Sequence, residues 1–461
     1  MGNLAEKIYN TSPVLLQNVL VSSYGIRLFY ERYYRADKEY LNMLSASQWL
    51  SKDQIRHNQV TAVNNLFSHA RSTVRFYRDR EAYSAIMARG IVDLDELQAL
   101  PVLDKETVRL DSPDLVSSCF SRRELIQLNT SGTTGKSLKV YVDYASRRAS
   151  YCFTTRYHHW AGLRDSRGNA TFGGRCVVPP NQRSKIFWRR NAILNNYLFS
   201  SYHMSDENLP HYIKKLQSIE PQYIEAYPSA AYVLASHILE HGEARIRPRA
   251  VLTSGETLFD YQRDMIERAF GCRVFDQYGC TEQALFVSQC EKGTYHVHPE
   301  YGIVEILDES GKQVPAGVLG RVVCTSFLNR AMPLIRYDLG DTAAWGEGPC
   351  GCGRSMPIIT KIGGRQEDYV LTADGKKVGR LDPVFKGVDS VKLAQIVQTH
   401  IDRIELRIVP GSTFDASDRD KITMELRARV GHTMKIELVE VGDIPKTANG
   451  KIKAVVSMLG K

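Results

Sequence analysis

The feature that most constrains the fold is a run of small, hydroxylated and cationic residues between two strand-like segments. Residues 130–136 read Thr-Ser-Gly-Thr-Thr-Gly-Lys, and the backbone N–H groups, hydroxyls and ammonium of such a run can surround a polyphosphate. A Walker P-loop requires glycine where this chain has Thr130, and it opens a helix. Here apolar residues alternate in 138–143, and 124–128 also has strand character. We therefore expect a phosphate-binding loop that joins two strands, and we call residues 130–136 the phosphate loop.

The remaining periodicities predict an α/β chain that begins with helices. Ser51 and Gln54 form a capping-box pattern ahead of apolar residues at helical spacing, and the first hundred residues are expected to be helical. Short strands, helices and Gly/Pro turns alternate through 130–360. Beyond them, apolar residues alternate in 404–408 and repeat at helical spacing in 422–430, which predicts a small α/β domain.

Polar clusters lie beside several of the strand-like runs, at 227–231, 251–257, 274–282 and 334–341. The third cluster ends in an aromatic residue, a glycine, a hydroxyl and a carboxylate. The ring can stack on a nucleobase, the hydroxyl can donate a hydrogen bond to a phosphate, and the carboxylate can bind Mg²⁺. The fourth places Asp341 after a glycine, where its carboxylate can accept hydrogen bonds from a ribose. Each cluster alone is also typical of an ordinary polar turn, so only their order along one chain indicates a nucleotide site.

Charge and cysteine content narrow the class of protein. The net charge of +9 comes without long basic runs, which argues against a nucleic-acid partner. Nine cysteines without a secretory signal indicate reduced thiols or metal ligands, and hence a cytoplasmic location. No transmembrane segment is expected, because polar residues interrupt the most apolar stretch well before the roughly 20 residues that a span requires. The oligomeric state, monomer or dimer, stays open.

Two short Cys/His segments predict a structural zinc site. Cys350 and Cys352 lie in a tight glycine-rich turn, and Cys290 and His296 lie upstream of them. Three thiolates and an imidazole would make a closed site, which is structural because no position is left for a substrate. His298 is an alternative to His296, and free buried thiols are the alternative to a metal.

Taken together, the motifs resemble those of the adenylate-forming superfamily, which contains acyl-CoA synthetases, peptide-synthetase adenylation domains and luciferase. The motifs are the phosphate loop, 278–282, 340–341, 364–365 and 445–451. Residues 49–78 and 374–386 are most similar to the phenylacetate–CoA ligase-like branch, especially to adenylating proteins of capsular-polysaccharide biosynthesis. The resemblance implies an α/β fold with a large N-terminal adenylation domain of mixed sheets and helices at 1–366, whose helical region covers about 1–100. A small mobile C-terminal α/β domain would follow at 367–461.

The resemblance implies a reaction in two steps. A carboxylic acid attacks the α-phosphorus of ATP to give acyl-AMP and pyrophosphate, and a thiol such as CoA, or an amine or hydroxyl, then takes the acyl group. The acceptor stays open, because residues 375–383 are bulkier and more charged than the glycine-rich segment that lines the CoA tunnel in acyl-CoA synthetases of this branch. Nucleotidyl transfer that leaves a stable AMP adduct, and an enzyme-derived binding protein without catalysis, are the alternatives.

The resemblance also assigns roles to nucleotide-binding residues. The β- and γ-phosphates would be clamped by Thr130, Ser131, Gly132, Thr133, Thr134, Gly135 and Lys136. The adenosine would be contacted by Ser254, Gly255, Glu256, Asp276, Gln277, Tyr278, Gly279 and Asp341, with the Tyr278 ring on the adenine and the Asp341 carboxylate on the ribose.

The catalytic roles fall on four residues. Thr281 would contact the α-phosphate, Glu282 would hold Mg²⁺ and Arg365 would assist at the ribose. Lys451 would bridge the carboxylate and the α-phosphate, because a compact ammonium can follow charge as it develops at both groups. Glycines near 363–368 would form the hinge that swings Lys451 into place.

Overall fold

A computed structural model of the chain describes residues 2–34, 38–130, 138–164, 168–179, 182, 184–242, 246–365, 369–372, 377–379, 381–385, 388, 390–447 and 451–459. These residues form helices α1 to α12, which are Gly2–Thr11, Val14–Arg32, Lys38–Ser47, Lys52–Thr73, Arg75–Arg78, Glu81–Arg89, Lys105–Leu110, Tyr144–Trp160, Leu209–Ile219, Pro228–His241, Asp260–Phe270 and Ala416–Val430. Short 3₁₀ helices cover Leu94–Ala99, Arg122–Glu124 and Asp382–Phe385.

The same residues form strands β1 to β20. In chain order these are Leu125–Asn129, Lys139–Asp143, Asn169–Gly173, Trp188–Asn191, Asn196–Ser200, Tyr223–Ala226, Ala250–Ser254, Arg273–Gly279, Phe286–Gln289, Tyr295–Val297, Gly302–Leu307, Leu319–Ser326, Tyr337–Trp345, Ile358–Arg365, Tyr369–Leu371, Lys377–Gly379, Val391–His400, Arg403–Pro410, Lys435–Glu440 and Val455–Ser457. The mixture of large sheets and helices confirms the predicted α/β class.

The chain divides into two compact units, and each contains segments that are distant in sequence. The first unit comprises residues 1–26, 165–276 and 364–461, and the second comprises 27–164 and 277–363. Helix α2 and strands β8 and β14 have residues in both. The predicted domain boundary at 366/367 stays a prediction.

In the first unit, a mostly parallel sheet has the strand order β7-β6-β3-β5-β4, with β4 antiparallel at the edge. Strand β7 is apolar at consecutive positions and buried through Thr253, as expected for a parallel strand covered on both faces. Helix α10 begins with Pro228 and ends before Gly242, whose positive φ closes the helix. The sheet therefore presents the ends of β6 and β7, with the residues that follow them, along one edge.

The C-terminal part of the first unit is a four-stranded sheet with the order β19-β18-β17-β20. Helix α12 begins at Asp415, whose carboxylate accepts from the Asp418 N–H at 3.0 Å, and it ends at Gly431. The strand at 404–408 and the helix that ends at Gly431 are confirmed. The hydroxyl of Tyr232 in α10 donates to the Val391 carbonyl at 2.7 Å, which ties this sheet to the rest of its unit.

In the second unit, antiparallel strands follow the order β11-β12-β13-β14-β10-β9, and the last residues of β8 pair with β9. Strands β1 and β2 form a separate antiparallel hairpin, so the predicted strands on both sides of the phosphate loop are confirmed. The predicted capping box is also confirmed: Ser51 accepts from the Gln54 N–H, and the Gln54 side chain accepts from the Ser51 N–H.

A buried ion pair inside the second unit joins β11 to the residue that precedes β13. Both Arg336 and Glu305 are 3% exposed, and two guanidinium nitrogens donate to the carboxylate at 3.0 and 2.9 Å. The third nitrogen donates to the carbonyls of Gln98 and Leu100. Arg336 adopts a positive φ of 49°, which a non-glycine residue rarely does, so its side-chain contacts must outweigh a backbone cost.

Replacing Arg336 with Met should lower the free energy of unfolding by about 3–5 kcal/mol, because it leaves the Glu305 carboxylate buried and unpaired. Urea unfolding of the purified variant measures the change. The matched control is Arg89→Met, which removes an exposed partner of Glu96 in the same unit and should cost less than about 1 kcal/mol. Equal losses in the two variants would contradict the importance of the buried pair.

Candidate active site

The hairpin β1–β2 holds both ends of the phosphate loop. Beyond the last paired residues, the Thr130 N–H donates to the Leu138 carbonyl, and the Leu138 N–H donates to the Thr130 hydroxyl, each at 2.9 Å. Ser131, Gly132, Thr133, Thr134, Gly135 and Lys136 lie outside the described residues. Their phosphate-binding role stays a prediction, and the two described residues nearest to them, Thr130 and Leu138, are joined by the hydrogen bonds above.

Two predicted nucleotide-binding residues meet in the second unit. The phenol of Tyr278, near the end of β8, donates to the Asp341 carboxylate in β13 at 2.9 Å. Burial raises the pKa of Tyr278 well above its ordinary value, and the negative charge of Asp341 raises it further. The phenol therefore stays protonated and continues to hold the carboxylate. A ring and a carboxylate fixed in this way suit the predicted contacts with adenine and ribose.

The segment that follows β8 carries Thr281 and Glu282. Glu282 is 5% exposed, and its Oε1 accepts from the Tyr337 hydroxyl at 3.0 Å. Among the hydrogen bonds of the described residues, this is the one that reaches the Glu282 carboxylate. Thr281 is exposed. A carboxylate anchored through one oxygen, beside an accessible hydroxyl, fits the donor set expected for Mg²⁺ and a phosphate.

In the first unit, Lys451 lies in a turn closed by an isolated β-bridge between Lys446 and Ile452. The Thr447 N–H donates to the Lys451 carbonyl at 2.9 Å, and the Lys451 N–H donates to the Thr447 hydroxyl at 3.2 Å. The Lys451 ammonium lies 5.8 Å from the centre of the Tyr227 ring. The lysine is therefore placed by its turn against residues that follow β6.

Gly255 completes this contact. Its φ of 82° is one that residues with a side chain rarely adopt. A methyl group there would come within 3.0 Å of the Tyr227 ring and 3.3 Å of the Lys451 Cε atom. Glycine is thus required both by the backbone conformation and by the close approach of Lys451.

Glu256 ties the lysine turn to the sheet of the first unit. Its carboxylate accepts from the Ile452 N–H at 2.8 Å and from the Ser229 N–H at 3.1 Å. Burial raises the pKa of Glu256, while these hydrogen bonds and the charge of Lys451 act in the opposite direction. The residue thus positions Lys451. The predicted contact of Ser254, Gly255 and Glu256 with adenine stays a prediction.

The remaining predicted residues have simpler surroundings. Asp276 is buried and accepts from the Thr253 hydroxyl at 2.5 Å, which indicates a structural contribution. Gln277 and Gly279 belong to the part of β8 that pairs with β9. Arg365 ends β14, and its side chain lies outside the described part of the structure.

Sequence reasoning missed the groups that hold the site together. The Ser229 N–H and the Tyr337 hydroxyl support Glu256 and Glu282, and no residue type at these positions signals that role. Lys446, given no function from the sequence, donates to the Ser201 carbonyl at 2.6 Å, and burial lowers its pKa. Its membership of the motif 445–451 was the available signal.

A separate cluster in the second unit brings together Cys290, His296, Cys350 and Cys352, whose ligand atoms all lie within 4.8 Å of one another. The sulfurs of Cys290 and Cys350 are 3.7 Å apart, and Cys352 Sγ is 3.4 Å from His296 Nε2. Zinc bonds of about 2.3 Å to sulfur and 2.0–2.1 Å to nitrogen predict tetrahedral edges of about 3.8 and 3.5 Å. The 3.7 Å separation also excludes a disulfide, whose S–S length is about 2.05 Å. The donor set therefore fits tetrahedral zinc.

The structure separates the two candidate histidines. His298 uses both ring nitrogens elsewhere, one with the Arg156 guanidinium at 2.5 Å and the other with the Ser288 hydroxyl at 2.8 Å. His296 presents Nε2 to the cysteines, and its Nδ1 lies 3.4 Å from the Met356 carbonyl. A second ring nitrogen near a backbone carbonyl is the usual arrangement of a zinc-binding histidine. His296 is thus the histidine of the cluster.

Comparisons of the sequence identify relatives over most of the chain. Residues 370–458 match the family model of the CapK C-terminal domain. Protein CapK from Staphylococcus aureus is 29% identical over 458 residues, which cover 98% of both chains. A phenylacetate–coenzyme A ligase from Thermus thermophilus is 23% identical over 460 residues, covering 89% of this chain and 98% of that one.

Within the described residues, no helix is long and apolar enough to cross a membrane.

Comparison of the structure gives the same fold. The structure of a 2-hydroxyisobutyryl-CoA ligase, in the postadenylation state in complex with R3-HIB-AMP, matches with a TM-score of 0.72 at 18% identity, over 90% of this chain and 92% of that chain. Fold, motifs and relatives agree. The chain is therefore similar over nearly its whole length to adenylate-forming ligases, in the branch that contains the phenylacetate–CoA ligases and CapK, and this supports the resemblance of its motifs.

Proposed function

We propose that the chain uses ATP to activate a carboxylic acid as its acyl-AMP, with release of pyrophosphate, and then transfers the acyl group to CoA. The observation that carries this proposal is the position of Lys451, whose turn is tied to Glu256 and whose side chain reaches Gly255 and Tyr227. A binding protein that had lost catalysis would have no need of a lysine placed in this way.

In the first step a carboxylate oxygen forms a bond to the α-phosphorus, and the bond between this phosphorus and the pyrophosphate oxygen breaks. The carboxylate and the ATP phosphates are both anions, and the reaction brings their negative charges together. The protein must therefore hold the two reactants in position and neutralise their charge, and it need not form a covalent bond to either. The Lys451 ammonium would bridge the attacking carboxylate and an α-phosphate oxygen. The Glu256 carboxylate holds the backbone next to Lys451 in place, because it accepts a hydrogen bond from the N–H of Ile452.

On the nucleotide, Tyr278 and Asp341 would contact the adenine and the ribose, Arg365 would assist at the ribose, and Thr281 would contact the α-phosphate. The phosphate loop would hold the β- and γ-phosphates. Glu282 would hold Mg²⁺, which supplies positive charge to the phosphates when bound. The anchored, buried carboxylate of Glu282 supports this assignment.

The acceptor in the second step is proposed to be CoA, since the relatives include phenylacetate–coenzyme A ligases. An amine or hydroxyl acceptor is favoured by one feature only, the bulk and charge of residues 375–383. Either acceptor would attack the acyl carbon and release AMP, so the two differ in product and not in the first step.

We also propose that the cluster of Cys290, His296, Cys350 and Cys352 holds a structural zinc ion. Its donor distances and its closed set of four ligands support this, and such a site leaves no position for a substrate.

ATP–pyrophosphate exchange against a panel of carboxylic acids tests the first step, and mass analysis of products with CoA, amines and hydroxyl compounds tests the second. Exchange that depends on one class of acid is expected, followed by an acyl-CoA product. An amide or ester would replace CoA as the acceptor. A stable AMP adduct, or no exchange with any acid, would contradict the proposal.

Replacing Lys451 with Ala should slow pyrophosphate exchange by about 100- to 1,000-fold, because one preorganised charge at the transition state is lost. ATP binding, measured by calorimetry, should change little. The matched control is Lys453→Ala in the same segment, which should retain exchange. Similar rates in the Lys451 variant and the parent would refute the assigned role.

Gly255→Ala should both destabilise the protein and slow exchange. The positive φ disfavours alanine by about 1–3 kcal/mol, and the added methyl crowds Tyr227 and Lys451. Gly242→Ala shares the backbone cost, since φ is 62°, but its methyl meets no atom within 4 Å among the described residues. The two variants should therefore lose similar stability, while exchange falls further in Gly255→Ala. Equal exchange rates would argue against close packing at Lys451.

Elemental analysis of protein purified without chelators should find about one zinc ion per chain. Cys352→Ser should lose the metal and melt at a lower temperature, because binding energy that supports the folded state is removed. Cys119→Ser, at an exposed cysteine of the same unit, should keep both. Metal-free wild-type protein would end the zinc proposal and leave the adenylation proposal untouched.

A further inference from the structure

Helix α2 (Val14–Arg32) exposes several large apolar side chains to solvent. Leu15, Val19 and Ile26 are 80%, 58% and 58% exposed, and Leu16 and Tyr30 are also exposed on the outward side. Their spacing places them on one face of the helix. Surface helices normally present polar residues to solvent and bury an apolar stripe.

The inward side of α2 carries polar residues next to the buried, apolar Leu28. Gln17 is 1% exposed, donates to the Tyr9 carbonyl at 2.8 Å and accepts from the Arg189 guanidinium at 2.6 Å. Asn18 accepts from the Arg190 N–H at 2.9 Å, and Ser22 accepts from the Ala192 N–H at 3.0 Å. These specific hydrogen bonds fix which side of the helix faces inward. Its exposed apolar side is therefore a built feature that needs a partner of its own.

The charge around this face is of one sign. Residues 7–30 contain no aspartate or glutamate, and neither do residues 166–205, which include the strand that α2 contacts. Arg175 and Arg190 are exposed there, and the Arg175 guanidinium lies 5.9 Å from the Tyr24 ring centre. An apolar helix face with tyrosines and a basic surrounding matches an anionic lipid surface.

The same charges argue against a second copy as the partner. A twofold interface through α2 would place each basic surrounding opposite its own equivalent, and like charges at such an interface oppose association. A bilayer with anionic headgroups neutralises them instead. Nineteen residues at 1.5 Å each give a helix of about 28 Å, and its inward hydrogen bonds oblige it to lie along the surface.

We propose that the outward face of α2, formed by Leu15, Leu16, Val19, Ile26 and Tyr30, binds the protein peripherally to the surface of an anionic lipid bilayer. The apolar side chains enter the boundary between headgroups and acyl chains. The arginines beside the helix contact lipid phosphates. The ligase reaction would then take place next to a membrane, without a membrane-spanning segment in the helix.

Co-sedimentation of the full chain with phosphatidylcholine vesicles, with and without about one quarter phosphatidylglycerol, tests the proposal. Binding to the anionic vesicles is expected, at least about tenfold tighter than to phosphatidylcholine alone and weaker in high salt. The variant Leu15→Ser/Val19→Ser/Ile26→Ser should lose at least about tenfold in vesicle binding while it keeps pyrophosphate exchange. Val92→Ser/Leu110→Ser, which changes two equally exposed apolar residues elsewhere, should bind as the parent does.

Two results would overturn the proposal. The first is no co-sedimentation of the parent with anionic vesicles, or undiminished binding by the α2 variant. The second is light scattering that shows a dimer of the parent and a monomer of the α2 variant, without vesicle binding, since a second copy would then be the partner. Neither result depends on which acid or acceptor the ligase uses.

Discussion

The candidate site of the first unit depends on the Glu256 carboxylate, which accepts hydrogen bonds from two backbone N–H groups. Glu256 follows β7 and binds the N–H of Ile452, while Ser229 at the start of α10 supplies the second donor. A buried carboxylate that lacked such donors would be costly, so the pair of hydrogen bonds and the turn stabilise each other. The contact fixes the backbone at Ile452 and so helps to place the neighbouring Lys451.

In both units, hydrogen bonds to a carboxylate hold residues of the candidate site in place. In the first, Glu256 positions a lysine through the backbone; in the second, Tyr278 and Tyr337 each hold a carboxylate through a hydroxyl. Both donors are neutral hydroxyls, so neither hydrogen bond adds a positive charge beside Asp341 or Glu282. The cysteine–histidine cluster, by contrast, brings together four side chains that could all bind one metal ion.

Local patterns predicted local structure well. The hairpin around the phosphate loop, the capping box at Ser51 and the helix ending at Gly431 depend on residues close in sequence, and all are confirmed. The cysteine–histidine cluster was predicted from residue type, because few other arrangements use that chemistry. Contacts such as Glu256 with Ile452 join residues nearly 200 positions apart through a backbone N–H, which any non-proline residue supplies. No residue pattern marks them. The exposed apolar face of α2 could not be predicted for a related reason, since the sequence shows an apolar stretch with polar interruptions but not which of its residues face solvent.

Arg336 carries a consequence for sequence variation. Its positive φ suits glycine or asparagine, whereas its side chain is required by Glu305 and by two backbone carbonyls. The backbone conformation at position 336 thus favours one amino acid, and the buried contacts of its side chain favour another. In related chains the two positions should change together: where the acid at 305 is replaced by an apolar residue, the arginine loses its purpose and glycine becomes the favoured occupant. A sequence change at positions 305 and 336 would then indicate that this buried ion pair has been lost, whereas changes at surface positions carry no such meaning.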